Sequence, residues 1–217
     1  IATVSKSPIS EIHFLDIGQG DATLIETIGG TRVLIDGGPS KELLLELDQV
    51  IPSVDRYIDI VFMTHAQSDH FGGLIDVLRR YDIGIFIDNG RQRTEMEAYN
   101  ELMRVVQEKK INHISLREGD RINYGDRQIA ILSPNKKNLQ SKELNDGCLV
   151  LQIIEKNLEA LYMCDAGANI ELELMKKYSL RADILKVGHH GSRFSSSKEL
   201  LAAVSPSVAI IEVGKNK

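Results

Sequence analysis

Thr64-His65-Ala66-Gln67-Ser68-Asp69-His70-Phe71-Gly72-Gly73 holds two imidazoles and a carboxylate within six residues. The apolar run from Ile58 to Met63 precedes it, and the glycine pair closes it. This pattern predicts a strand that ends in a loop, with a helix starting near His70. A loop at the C-terminal end of a strand is where α/β proteins place chemistry. His-x-x-x-Asp-His is half of a divalent-metal site by donor type, because imidazole and carboxylate together suit zinc, manganese or iron. The same residues also read as two loop histidines with a capping Asp.

Upstream, Glu11 to Leu15 is a short strand followed by Asp16-Ile17-Gly18-Gln19-Gly20-Asp21. Ala22–Glu26 and Thr31–Ile35 flank Gly29-Gly30, a hairpin signal. Asp36-Gly37-Gly38-Pro39 ends the second strand, and Ser40 is the expected N-cap of a helix running to about Val50. Downstream, 73–81 and 95–110 read as helices and 83–87 as a strand. Residues 114–116 and 128–132 read as strands, with a turn at 124–126. Residues 133–147 form a polar loop. The hairpin of 148–154 and 158–164 turns at 155–157 and ends in Asp165-Ala166-Gly167. A helix at 170–178 and a strand at 183–187 lead to Gly188-His189-His190-Gly191-Ser192, then to a helix at 195–204 and a last strand at 208–212.

Strands come first, then strands alternate with helices, and the second half repeats the order. Helices must cover sheet faces, so the expected class is α/β, with two mixed sheets sandwiched between helix layers. No linker is visible, and one domain spanning 1–217 is expected. The acids and histidines (Asp16, Asp21, Asp36, His65, Asp69, His70, Asp165, His189 and His190) all fall where an apolar strand stops. Side-by-side strands would gather them on one rim.

The bulk composition is that of a globular chain, 42% hydrophobic and 26% charged. No run approaches the roughly 18 apolar residues of a membrane span. The formal charge of −5 argues against a strongly electrostatic nucleic-acid binder. Two cysteines make no disulfide framework. Centring the hairpin on Lys156 sets Cys148 opposite Cys164 as a packed thiol pair. The chain starts at Ile1 rather than Met, which reads as a mature or excised fragment. His13 and His113 read as structural and surface residues. Arg91 and Arg93, after a strand end, are the basic residues with the better claim to a substrate groove.

Phe14-Leu15-Asp16-Ile17-Gly18-Gln19-Gly20-Asp21, Leu34-Ile35-Asp36-Gly37-Gly38, the His65/Asp69/His70/Gly72-Gly73 stretch and Lys186-Val187-Gly188-His189-His190-Gly191-Ser192 together resemble the metallo-β-lactamase fold. More narrowly, they resemble the hydrolase domain of the ComEC family of competence proteins, from about Ile9 to the end. The resemblance implies an αββα sandwich with one or two divalent ions, zinc or manganese, at its open edge. It gives His65 to the first metal, with Gln67 where many relatives carry a second histidine. It gives Asp69 and His70 to the second metal, Asp165 to a bridging role, and His189 or His190 to the next ligand position. Asn145-Asp146 sits where the wider superfamily has another histidine, and Asp36 is expected to orient a ligand rather than bind metal. Asp69, His190 and Ser192 are the expected catalytic groups.

The resemblance further implies a nuclease that degrades one DNA strand during uptake, with single-stranded DNA as partner. The domain would be monomeric and free of membrane segments, and part of a larger membrane protein. Gln67 departs from the pattern, because a neutral amide is a poor zinc ligand. Relatives also continue past Lys217 into a Tyr-Gly-His-Pro segment. Two other functions compete: a degenerate domain that binds DNA or a partner, and a hydrolase of another ester, such as a lactone or a phosphocholine ester.

Overall fold

The computed structural model describes residues 10–125, 127–156 and 158–215. Ile9, Asp126, Asn157, Asn216 and Lys217, which belong to expectations above, lie outside them. The chain divides into two compact units, one built mainly from residues 1–87 and 92–114 and the other from 88–91 and 115–213.

The first unit holds a six-stranded sheet in chain order: β1 (Glu11–Phe14), β2 (Thr23–Glu26), β3 (Arg32–Ile35), β4 (Tyr57–Phe62), β5 (Asp82–Asp88) and β6 (Asn112–Ser115). β1, β2 and β3 are antiparallel neighbours, and β3, β4 and β5 run parallel. All four residues of β3 are buried, as expected of a strand covered on both faces. The helices α1 (Glu42–Val50), α2 (Ser68–Phe71), α3 (Leu74–Arg80) and α4 (Glu97–Glu108) fill the connections. Leu43 and Leu47 of α1, Leu74, Val77 and Leu78 of α3, and Tyr99, Leu102, Val105 and Val106 of α4 form one core with Leu24, Leu34, Val61 and Phe86 of the sheet. These are the apolar stripes that helical spacing predicts.

The second unit repeats the plan. Its sheet runs β12 (Val208–Ile210), β11 (Ile184–Lys186), β10 (Leu158–Tyr162), β9 (Val150–Glu155), β8 (Arg127–Ser133), β7 (Arg121–Tyr124). β7 to β10 are antiparallel, and β10, β11 and β12 are parallel. α5 (Lys136–Leu139), α6 (Ala168–Lys177) and α7 (Lys198–Val204) complete it. Ile170, Leu174, Leu200 and Val204 pack with Leu161, Leu185 and Val187 in a separate core.

Three local expectations change. Ser40 is not an N-cap: α1 starts at Glu42 with Lys41 at the cap position, and the Ser40 hydroxyl turns to the Glu42 carboxylate. The polar stretch 133–147 is not a bare loop. Asn135 caps α5 by accepting from the Asn138 amide at 2.9 Å, and residues 145–147 make a 3-10 turn. Cys148 and Cys164 are not opposite each other. Leu158 pairs with Glu155 and Tyr162 with Leu151, so the hairpin is centred half a residue beyond Lys156. Both cysteines are buried, and no disulfide joins them.

The fully buried Leu102 and the 66%-exposed Leu45 sit on helices of the same core. Leu102→Ala is expected to lose about 2–5 kcal/mol of stability and Leu45→Ala less than about 0.5 kcal/mol, as read by urea denaturation.

Candidate metal centre

In the first unit three loops at strand ends are tied together through their backbones. The Asp21 amide donates to the Asp69 carbonyl at 3.2 Å, Gly37 to His70 at 2.7 Å, Gly38 to Asp21 at 2.9 Å and Gly73 to Gly38 at 3.0 Å. Such approaches leave no room for side chains. A Cβ on Gly20 would lie 2.0 Å from the Asp69 carbonyl oxygen, on Gly72 2.2 Å from that of Pro39, and on Gly73 2.2 Å from that of Gly37. The glycines in the quoted stretches are therefore what bring the acidic and histidine loops into register.

Asp36 is the centre of the polar contacts. It is 1% exposed and has a left-handed backbone, φ 59°. Its Oδ1 accepts from the Thr64 amide at 2.7 Å. Its Oδ2 accepts from the Thr64 hydroxyl at 2.7 Å and lies 2.8 Å from Nδ1 of the fully buried His70. With Nδ1–H donating to this carboxylate, neutral His70 carries its lone pair on Nε2, the arrangement of a metal-ligating histidine. Ligand atoms of His65, Asp69, Asp21 and Asp36 each come within 4.8 Å of one on His70. Burial pushes the Asp36 pKa above the ordinary carboxylate value, and its bonds to His70 and Thr64 pull it back only in part.

The same carboxylate sets His65. The single proton of the Thr64 hydroxyl goes to Asp36, so that hydroxyl can only accept from His65 Nδ1, 3.2 Å away. His65 then also carries its lone pair on Nε2. That nitrogen lies 2.8 Å from the Gln67 carboxamide oxygen. Two acceptors at this distance need a proton or a cation between them, and a half-turn of the carboxamide supplies an amino donor. Two ligands of a tetrahedral ion, each at 2.0–2.1 Å, stand about 3.3 Å apart. At 2.8 Å Gln67 is a direct partner of His65, closer than two ligands of a tetrahedral ion stand. The His65 and His70 ring centroids lie 4.2 Å apart with the planes tilted by 53°, and the Arg93 guanidinium donates to the Ala66 carbonyl at 3.3 Å. Arg93 thereby braces the loop.

The second unit has donor groups of its own. Asp165, 1% exposed, follows β10, and His189 and His190 follow β11. Register sets the two strand ends side by side, Tyr162 opposite Lys186, and the His189 amide bonds the Cys164 carbonyl at 2.9 Å. Asp165 Oδ2 lies 3.7 Å from His190 Nε2 and 3.9 Å from His189 Nε2. His190 Nδ1 is 2.9 Å from the Glu212 carbonyl, which fixes the tautomer that leaves the Nε2 lone pair for a metal. The His189 side chain is 38% exposed and that of His190 8%. Both residues are left-handed, as is Cys164. With Asp36, these are four of the seven non-glycine residues at positive φ among the described residues. Strain of this kind, about 1–3 kcal/mol per residue, concentrates at functional sites.

Oriented Nε2 lone pairs on buried imidazoles beside buried carboxylates fit a divalent cation. Asp146 instead bonds Ser141 at 2.6 Å and Asn169 at 2.8 Å, and Arg91 reaches the Glu143 carbonyl at 3.5 Å. The exposed Asp16 stands apart from the buried Asp21. His13 lies between Glu11 and Glu26 on β1, and the exposed His113 packs on Phe86 at 5.5 Å. Two contributors carried no signal of their own in the sequence: Thr64 as the relay to His65, and the Glu212 carbonyl. Gly20→Ala, which meets the Asp69 carbonyl at φ 123°, is expected to cost about 3 kcal/mol or more. Gly18→Ala, at φ 78° with open space around it, should cost only about 1 kcal/mol, by denaturant melts of both variants.

Comparison with known proteins agrees with this picture. The chain is 28% identical to ComE operon protein 3 of Bacillus subtilis over 95% of its own length and 28% of that protein's. It is 30% identical to Recombination protein 2 of Haemophilus influenzae over 97% of its own length and 25% of that protein's. The chain thus spans about a quarter of each relative. Among solved structures, the metallo-beta-lactamase fold protein YhfI from Bacillus subtilis superposes with a TM-score of 0.63 at 12% identity, over 96% of this chain and 88% of that one. The metallo-beta-lactamase superfamily is matched over residues 15–214, which take in the strand-end loops of both sheets, and the chain belongs to that superfamily.

Proposed function

We propose that this chain is a metal-dependent phosphodiesterase that cleaves single-stranded DNA, the activity of a competence-type nuclease domain. The observation that carries it is the orientation of His70 by Asp36 at 2.8 Å, repeated at His190 by the Glu212 carbonyl at 2.9 Å. Both imidazoles are fixed with Nε2 as the ligating atom. The likeness to Recombination protein 2 and ComE operon protein 3 favours DNA as the substrate class.

The residues that would hold zinc or manganese are His65, Asp69 and His70 in the first unit, and Asp165 and His190 in the second. A bound divalent ion supplies a water whose pKa falls from 15.7 toward about 7, and neutralises phosphoryl oxygen charge. The chain's own groups do the rest. Asp36 holds His70 directly and His65 through Thr64. Asp69, at the loop's helical turn, accepts a proton from the attacking water and orients it. The Ser192 hydroxyl accepts from the Phe194 amide at 3.3 Å, which leaves its own proton to donate to a phosphoryl oxygen. His190 rather than His189 is the ligand in this scheme, because its tautomer is set and its side chain is the more buried. Gln67 favours a second reading, a binding domain without catalysis, since its carboxamide sits on the His65 nitrogen that a metal would use.

Asp69→Ala is expected to abolish manganese- or zinc-dependent cleavage of a labelled single strand, and EDTA should do the same to the native chain. Unchanged cleavage in the variant overturns the assignment. His190→Ala should weaken metal binding, read by titration calorimetry, by about 10-fold or more, and by more than His189→Ala does. A native chain that binds DNA but neither metal nor cleaves supports the second reading.

A further inference from the structure

The loop after the histidine pair presents Phe194 with its side chain 65% exposed. Single exposed apolar residues are ordinary on protein surfaces. Phe194 differs in how firmly its backbone is held. Its amide donates to the Ser192 hydroxyl at 3.3 Å, and its carbonyl accepts from the Ala168 amide at 3.0 Å. On one side, the buried Ser195 hydroxyl bonds the Gly188 carbonyl at 2.8 Å and that of Ser192 at 3.0 Å. On the other, the fully buried Glu171 carboxylate of α6 accepts from the Ser196 amide and, at 3.0 Å, from the Ser197 amide. A large aromatic is thus displayed on a pinned loop four residues from His190. The exposed Arg193 guanidinium lies over one face of the ring, 4.7 Å from its centroid, which leaves the opposite face for a base.

We infer that Arg193 and Phe194 form a nucleotide subsite for single-stranded nucleic acid. A base stacks on the Phe194 ring, and Arg193 takes the adjoining phosphate. Stacking on an aromatic accepts any base, because every base has a π face. The guanidinium is a planar donor that both stacks and binds phosphate. The pair therefore recognises a nucleotide without regard to sequence, and a neutral lactone offers it neither a base to stack nor a phosphate to bind. This subsite deepens the nuclease proposal and rests on it for the choice of DNA.

The test uses the chain with manganese and two uncleavable phosphorothioate strands of 12 residues, one oligothymidylate and one wholly abasic. Phe194→Ala should lower affinity for the thymidylate strand by about 5- to 150-fold and leave the abasic strand unaffected. Arg193→Ala should weaken both strands and reduce the salt dependence by about one phosphate contact. The chain contains no tryptophan, so Phe194→Trp creates a single reporter. Its fluorescence should be quenched by the thymidylate strand and not by the abasic one. Equal losses on the two strands, no loss in Phe194→Ala, or no binding of either strand by the native chain overturns the subsite. Base-dependent quenching without cleavage of natural DNA would instead sink the nuclease reading and leave the subsite standing.

Discussion

One buried carboxylate organises the first unit's site. Asp36 takes three hydrogen bonds: two from Thr64 and one with His70. Through the Thr64 hydroxyl it also fixes the proton of His65. Removing a charge from water is costly, and burial raises the pKa of this group despite its partners. The fold bears that penalty where β3 ends beside β4, Ile35 opposite Phe62, so that two imidazoles keep a defined tautomer. The second unit reaches the same end by a cheaper route. A neutral backbone carbonyl, that of Glu212, orients His190, and the strain lies in consecutive left-handed histidines instead.

Close backbone approach is the other requirement. The loops carrying Asp21, Asp36 and His70 bond one another directly, an approach that glycines at 20, 72 and 73 permit because a Cβ there would strike backbone. In the second unit, side chains rather than glycines hold the histidine loop. Glu171 and Ser195 satisfy its amides and carbonyls from within. A loop so fastened can present Arg193 and Phe194 to solvent without being mobile.

Much of this was legible in the sequence. Apolar periodicity placed most strands and helices, though not β7 or α5, and the strand-end positions of Asp36, Asp69, His70, Asp165 and the histidine pair follow from local pattern. What stayed hidden depends on partners distant in sequence or on backbone atoms. The bonds of Asp36 to Thr64 and His70 span 28 and 34 residues. The Glu212 carbonyl carries no side-chain signature at all. Ser40 looked like a cap because composition favours it there, but its segment is drawn against Gly73, and the helix starts two residues later. Cys148 and Cys164 are not directly opposite, because a half-residue shift in a hairpin's centre moves every opposite pair, although both lie in one buried cluster. Gln67 stands at a ligand position by pattern, and its contact with His65 Nε2 carried no signal in the sequence.

The central claim is that Asp36 prepares imidazoles to bind a metal. The most direct measurement is manganese and zinc titration, by calorimetry with elemental analysis, of the native chain and of Asp36→Ala, with folding of both checked by circular dichroism. The account predicts at least one ion bound by the native chain and an affinity about 10- to 100-fold lower in the folded variant. Equal affinities in the two chains, or no ion bound by the native one, would contradict it.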